Sequence, residues 1–176
     1  MNWETEIQSI SIEDFNLLKK VGKRSNTLNL IQATELYYLP YFFVKSELPE
    51  LLNGGNYKAV FSVMYGNKLN FNEIKTNDAF ETLLWIFDSY NDILKVEKQY
   101  LSSFPDADLM AAGINRLNEV GELNVTDSVA QRFGYKIEEV EQLKYHKVFD
   151  LQRKMKLEAD IQRDLQKIRE NKQNRK

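Results

Sequence analysis

The amino-acid sequence predicts an all-α protein, a multi-helix bundle that ends in a long C-terminal helix. Its 176 residues include only 7 glycines and 3 prolines, so the chain offers few of the turns that an all-β fold needs. Apolar residues recur every three or four positions along most of the chain, which is helical spacing. A hydrophobic fraction of 43% and a charged fraction of 28% are typical of one folded domain rather than of a disordered chain.

The N-terminal region holds the one strand-like segment. Residues 6–12 alternate polar and apolar side chains, which indicates a short edge strand or an extended N-terminal arm. Ser11 followed by Asp14 is typical of the start of a helix, which would run to Lys20 and end at Gly22. We therefore expect a short arm, a helix and then a linker.

The next segment should contain short helices separated by a turn. Pro40 interrupts the apolar pattern of residues 28–43 and should split it into two helices. The turn is predicted at residues 53–56, Asn-Gly-Gly-Asn, because glycine and asparagine adopt positive φ angles at low cost. A helix then follows and ends at Gly66. Its apolar face comprises Tyr57, Val60, Phe61 and Met64.

The longest apolar stripe predicts the central helix of the core. This helix should begin at Asp78 and stop before Pro105. Its apolar side chains are Phe80, Leu83, Leu84, Phe87, Tyr90, Leu94 and Leu101. Asp106 is a suitable N-cap for a following helix, and Gly121 is suitably placed at the C-terminus of that helix.

The last 50 residues predict a short helix and then a long one. Residues 126–133 should be helical and end at Gly134, whereas residues 137–171 contain no glycine or proline and could form one helix, bent near Lys144. We divide the chain into a helical body, residues 1–136, and a long amphipathic C-terminal helix or interaction arm, residues 137–176. Residues 151–176 carry nine Lys and Arg against four Asp and Glu, a net +5, which leaves −7 for the rest.

The composition excludes several kinds of chemistry. The absence of cysteine removes disulfides, thiol nucleophiles and thiolate metal sites, and a single histidine leaves no multi-histidine site. We expect no catalytic, cofactor-binding or metal-binding residues. The N-terminus lacks the pattern of a signal peptide, and the longest apolar-rich run, residues 36–44, is far shorter than the ~20 residues of a membrane helix. We therefore expect neither export nor a membrane span.

Two groups of neighbouring carboxylates would fit a small enzyme with acidic catalysis. Carboxylates are paired at Asp106 and Asp108 and again at residues 138–141, and such pairs can act as general acid and base. Both groups lie at predicted helix N-termini, where capping and interaction with the helix dipole are simpler roles. The one histidine, His146, lies between lysines with no nucleophile pattern near it, so a surface position is favoured.

A helix-turn-helix pattern makes a DNA-binding regulator the main alternative function. Ala130, Gly134 and Val140 have the spacing of a small residue in the first helix, a glycine at the turn and an apolar residue beyond it. However, the second helix would present Glu138, Glu139 and Glu141, which repel phosphates. The spacing therefore favours a helix-turn-helix shape, whereas the acidic second helix argues against DNA binding.

Two stretches of the C-terminal half resemble proteins encoded among the virion genes of tailed bacteriophages. They are residues 104–117, Phe-Pro-Asp-Ala-Asp-Leu-Met-Ala-Ala-Gly-Ile-Asn-Arg-Leu, and residues 134–149. The second is similar to the G-Y-x-x-x-E-V-x-x-L-x-Y segment of tail assembly chaperones, which are largely helical. The resemblance spans about residues 104–170 and implies a non-enzymatic role in particle assembly, in the host cytoplasm or in the virion. A neck, ring or connector adaptor remains open.

We therefore expect a protein–protein interaction component that binds other phage structural proteins or itself, as a tail assembly chaperone or structural virion adaptor. The basic tail also leaves nucleic acid open as a partner. Aromatic and aliphatic side chains supply most interface energy, so they are the candidate contact residues. These residues are Tyr135, Tyr145, Val148, Phe149, Leu157, Ile161, Leu165 and Ile168.

Overall fold

Helices dominate the structure, a computed structural model that describes residues 3–10, 19–20, 22–28, 31–102 and 110–173. The α-helices are α1 (Trp3–Gln8), α2 (Leu48–Asn53), α3 (Tyr57–Tyr65), α4 (Thr76–Leu101), α5 (Glu122–Phe133), α6 (Ile137–Gln142) and α7 (Tyr145–Gln173). Single 3-10 turns occupy Leu36–Tyr38, Gly66–Lys68 and Phe71–Glu73, a longer 3-10 helix occupies Ile114–Val120, and a π-helical turn occupies Phe43–Glu47. The predicted all-α class is confirmed.

A short antiparallel pair accompanies the helices. The strands are β1 (Thr27–Leu28) and β2 (Ile31–Gln32), with Leu28 opposite Ile31. Leu28 is buried, whereas Thr27 is exposed, so β1 contributes one side chain to the core.

The long helix α4 is the centre of the core, as its apolar stripe predicts. Leu83, Leu84, Ile86 and Ile93 on this helix are fully buried. They lie where α1, β1, the 36–38 turn and α7 pack against α4. The helix begins two residues before the predicted Asp78.

The N-terminal segment differs from the predicted strand or extended arm, because residues 3–8 form the helix α1. Trp3 and Ile7 are one turn apart and both are buried, so the four-residue spacing overrides the local alternation. The indole of Trp3 stacks on Phe61 with ring centroids 5.3 Å apart, and its Nε1–H donates to the Phe71 carbonyl over 3.2 Å. Of the helix predicted up to Lys20, residues 11–18 lie outside the described part of the chain.

The turns between the middle helices match the prediction. Pro40 lies between the 36–38 turn and the helical residues that begin at Tyr41. The Gly54-Gly55 turn separates α2 from α3, and Gly66 with a φ of 63° ends α3. Positive φ is the conformation for which glycine is suited.

The segment before α5 departs from the prediction. Residues 103–109, which include Asp106 and Asp108, lie outside the described part of the chain, and residues 114–120 form a 3-10 helix. Gly121 directly precedes α5, so that helix begins at Glu122 rather than at Thr126. Thr126 lies inside it, and its Oγ1–H donates to the Leu123 carbonyl over 3.1 Å, so this residue is not an N-cap.

The single helix predicted over residues 137–171 is two helices in the structure, since a backbone connection separates α6 from α7 at residues 143–144, near the predicted bend. The Tyr41 N–H donates to the Leu143 carbonyl and the Tyr145 N–H donates to the Leu39 carbonyl, each over 2.8 Å. Because these carbonyl and amide groups bond to the 39–41 segment, the chain between α6 and α7 is extended rather than helical. The start of α7 is thereby attached to the body.

Candidate functional site

The helix α7 has a body-packed half and an exposed half. Tyr145 and Val148 are buried in the core, and Phe149, Leu151 and Met155 pack partly against it. From residue 157 to residue 173 the side chains are mostly exposed. The predicted division between body and arm at residue 136 therefore falls before two stretches, α6 and the start of α7, that pack on the body.

The predicted contact residues fall into three groups in the structure. Tyr145 and Val148 have no exposed surface to offer a partner, because they are core residues of this chain. Phe149 is half-buried against Tyr145 and Tyr100, and Tyr135 is exposed next to the α5–α6 turn. The remaining four form what we call the arm stripe and are 39% to 57% exposed. They are Leu157, Ile161, Leu165 and Ile168.

The arm stripe lies among charged residues that pair along the same helix. Lys156 Nζ lies 2.8 Å from an Asp160 carboxylate oxygen, and Arg163 lies 3.2 Å from the other oxygen. Such pairs give a helix modest support. Two contacts also tie the start of this segment to α5, since Arg132 pairs with Glu158 over 2.9 Å and Lys154 lies over the Phe133 ring.

A buried polar cluster that the sequence analysis did not predict joins the body to α7. We call it the Tyr–Lys–Glu cluster, and it comprises Tyr41, Lys45, Glu97, Glu122 and Tyr145. Lys45 Nζ donates to Glu97 over 2.7 Å and lies 3.6 Å from Glu122. The Tyr41 hydroxyl donates to Glu122 over 2.5 Å, and the Tyr145 hydroxyl donates to Glu97 over 2.8 Å.

The two tyrosines and the lysine of the cluster keep their protons at neutral pH. Burial raises the pKa of Tyr41 and of Tyr145 far above the usual tyrosine range, and the adjacent carboxylates raise both further. Burial alone would lower the pKa of Lys45, but the hydrogen bond to Glu97 and the charges of Glu97 and Glu122 outweigh it and raise that pKa. These groups therefore act as hydrogen-bond donors that hold the helices together rather than as bases.

An open cleft of about 470 Å³ lies beside the cluster. Its wall includes Lys45, Glu97 and Glu122 together with Leu101 and Gln152. The two glutamates already accept hydrogen bonds from the tyrosines and the lysine, so the cleft borders a hydrogen-bonded network that carries two carboxylates and one cation.

The glutamates of α6 and His146, which the sequence analysis considers as catalytic or DNA-facing residues, have structural roles or lie on the surface. Glu139 accepts from the Lys136 N–H over 2.8 Å, which confirms its capping role, and Glu138 is exposed. The side chain of His146 is half-buried, and its Nδ1 lies 2.8 Å from the Tyr37 carbonyl oxygen. This contact reflects the packing of α7 on the 36–38 turn rather than the free surface position that the sequence favours.

The helices α5 and α6 are joined by a three-residue turn that begins at Gly134, where the helix-turn-helix spacing predicts it. Gly134 adopts a left-handed conformation, φ 75° and ψ 27°, at the end of α5. Ala130 and Val140 are buried on either side of the turn. The exposed side of α6 carries Glu138 and Glu139.

The described residues offer neither a metal site nor a membrane-spanning helix. No group of three or more histidine, aspartate or glutamate side chains gathers there as a metal ligand set. None of the helices described is both long and apolar enough to cross a bilayer. No protein-family model, no curated protein and no solved structure matches this chain.

Proposed function

We propose that this chain is a non-enzymatic protein–protein interaction component of tailed-phage particle assembly, acting as a tail assembly chaperone or as a structural virion adaptor. The observation that carries the proposal is the arm stripe. Four aliphatic side chains are exposed on one side of a helix that extends past the core, and a stripe of this kind is typical of a partner-binding surface.

The exposed half of α7 supports a binding role because it gains little from its own chain. Residues 157–173 form about five helical turns. Most of the stability of a helix in a protein comes from tertiary packing, and these mostly exposed turns have little of it. A partner that covers the arm stripe would bury Leu157, Ile161, Leu165 and Ile168 and stabilise those turns. The resemblance of residues 104–170 to tail assembly chaperones then supplies the class of partner, other virion proteins.

The test is genetic. If the proposal is correct, a phage encodes this chain, and the variants are made in that phage. Replacing Ile161 and Leu165 together by lysine should lower the yield of infectious particles, because both side chains lie in the arm stripe. Gln166→Lys is the matched control, since this residue is exposed on the same helix but outside the stripe. An unchanged yield with the double variant, or a source genome without virion genes, would overturn the proposal.

The protein content of purified mature particles distinguishes the two forms of the proposal. A structural adaptor remains in the particle, whereas an assembly chaperone leaves before completion. Immunoblotting of purified particles against the infected-cell lysate is the measurement.

A DNA-binding regulator is the second candidate, favoured by the α5–α6 helix-turn-helix. If the chain bound DNA through it, a duplex gel shift would weaken steeply with added salt, because phosphate contacts release counterions. Glu138→Gln together with Glu139→Gln should then strengthen the shift. The exposed glutamates of α6 are the reason for placing this function second.

A further inference from the structure

We propose that the exposed half of α7 associates in parallel with the same segment of at least one further copy of this chain. The inference rests on the proposed function in one respect, since it takes the arm stripe as the contact surface and identifies the partner that covers it. Three features of the helix support self-association: the direction in which the stripe faces, the order of its apolar residues and the charges beside it.

The two isoleucines of the arm stripe face away from the side of α7 that packs on the body. Val148 precedes Ile161 by thirteen residues, and Met155 precedes Ile168 by the same number. At about 100° per residue, the members of each pair lie roughly 140° apart around the helix. Val148 and Met155 contact the core, whereas Ile161 and Ile168 are exposed. Leu165 lies only about 40° from the direction of Leu151, which packs partly against the core, but it is about 21 Å further along the helix. Residues 161–173 are all exposed, so a second helix can reach the stripe there without displacing the body.

The order of apolar residues favours a parallel arrangement. Ile161, Leu165 and Ile168 occupy consecutive d, a and d positions of a heptad pattern. In a parallel, in-register pair each residue meets its own copy, which gives three apolar layers in succession. Either antiparallel register gives only two, and it places Ile161 against Lys172 or Ile168 against Glu158. The parallel arrangement instead leaves Glu158 and Lys172 in layers of their own at the two ends of the apolar three, where each meets its own copy.

The charges beside the stripe agree with the parallel arrangement. Asp164 is at a g position and Arg169 is at the e position five residues later, and parallel helices bring g of one chain to e of its neighbour. In the described part of the chain, neither side chain forms an ion pair, whereas nearby Asp160 pairs with both Lys156 and Arg163. A second copy would supply Asp164 and Arg169 with partners, twice in each symmetric pair.

The residue types also bear on the number of helices. Leucine at a with isoleucine at d favours bundles of more than two helices. Leu157, the member of the arm stripe at a g position, would be covered better in such a wider bundle than in a pair. We therefore expect the associated mass to be at least twice, and up to four times, that of one chain.

Cysteine cross-linking tests the contact, because the chain contains no cysteine of its own. In the full-length protein, Leu165→Cys should form a disulfide-linked dimer under mild oxidation, since two a-position side chains meet in a parallel pair. Gln166→Cys, exposed and one position further round the helix, is the matched control and should give several-fold less. Circular dichroism of both variants verifies that the helices are retained.

A charge exchange tests the direction of pairing. Asp164→Arg should reduce the cross-linking of Leu165→Cys, and adding Arg169→Asp should restore it, because the exchange recreates the pair with reversed signs. Equal cross-linking at positions 165 and 166, a single-chain mass in sedimentation at high protein concentration, or failure of the exchange to restore the product would each overturn the inference.

The outcomes also separate this inference from the proposed function. A single-chain mass together with a particle yield that still depends on Ile161 and Leu165 would overturn self-pairing and leave the arm stripe as the site for a different virion protein. Specific cross-linking at position 165 with a particle yield insensitive to the stripe would establish self-pairing and overturn the assembly role.

Discussion

Lys45 carries the one positive charge of the Tyr–Lys–Glu cluster. Its side chain is only 11% exposed and that of Glu97 is 16% exposed, so both charges are largely removed from water. A charge in this position is tolerated because its partner is close and because tyrosine hydroxyls occupy the remaining carboxylate oxygens. The cluster therefore depends on each of its members.

Lys45→Met should destabilise the protein by about 3 kcal/mol, because Glu97 and Glu122 would then share a largely buried site without a cation. The measurement is the free energy of unfolding from urea titrations at neutral pH. Lys95→Met is the control, since the Lys95–Asp92 pair is well exposed and should contribute no measurable stability. Equal effects from the two variants would contradict the importance of the buried pair.

Tyr145→Phe should lower the free energy of unfolding by about 1.5 kcal/mol at neutral pH, because Glu97 loses a hydrogen-bond donor. It should also alter the alkaline pH dependence of stability. The folded pKa of Tyr145 is raised, so above about pH 10 the unfolded chain releases this proton while the folded chain keeps it. Its contribution is complete below pH 10 and is lost as the pH rises.

Tyr41 and Lys45 also make the protein less stable as the pH rises, since their pKa values in the folded state are raised as well. The wild-type protein should therefore lose stability steadily above about pH 10, by at most about 1.4 kcal/mol per pH unit for each group. Tyr145→Phe should make this decline shallower. Urea titrations at several pH values between 8 and 11 measure how the free energy of unfolding declines in the wild type and in Tyr145→Phe. Identical slopes for the two proteins would refute the assignment of part of this decline to Tyr145.

At the scale of the elements, α5 and α6 depend on one backbone conformation. Gly134 lies in the left-handed region, where a side chain is strained, and the space beside it is open. The turn lets Ala130 and Val140 reach the core from adjacent helices. Gly134 is therefore needed for its left-handed backbone conformation. The space beside it would accommodate a side chain.

Gly134→Ala should cost about 1 kcal/mol of stability through backbone strain alone, since a Cβ there would meet nothing within 4 Å. Gly134→Asn should cost less, because asparagine adopts the left-handed conformation more readily. Thermal or urea unfolding of the two variants measures the difference. An alanine variant as stable as the wild type would show that this turn tolerates another conformation.

In the whole molecule, the first half of α7 contributes to the core and the second half is exposed to solvent. Its first half supplies Tyr145 and Val148 to the core and carries Leu151 and Met155 against it. Removing residues from 151 onward would therefore take core contacts away together with the arm. A boundary near residue 157 separates the two roles better.

A chain of residues 1–156 should remain folded, with a free energy of unfolding within about 1 kcal/mol of the full chain, because the removed side chains are mostly exposed. A chain of residues 1–144 should not fold, since it lacks Tyr145 and Val148 from the core. Circular dichroism and urea titration compare the three lengths. Unfolding of the 1–156 chain would mean that the arm stripe supports the body.

The sequence alone determines most of the helical architecture, because helix-forming patterns and helix ends are local. The apolar stripe around Leu83 and Leu84 predicts the central helix, and Gly134 predicts the end of α5. The aliphatic residues of the arm stripe were also found by their spacing. Which of the eight candidate contact residues are accessible could not be predicted, since burial depends on how the helices pack.

Only the tertiary structure decides the features that join distant parts of the chain. The Tyr–Lys–Glu cluster draws on the segments around Tyr41, Glu97, Glu122 and Tyr145, and no local pattern links residues so far apart. The interruption between α6 and α7 follows from backbone hydrogen bonds to the 39–41 segment. The helical form of residues 3–8 follows from the burial of Trp3 and Ile7 against the body, because the free energy of packing exceeds the weak preference of a short segment for an extended conformation.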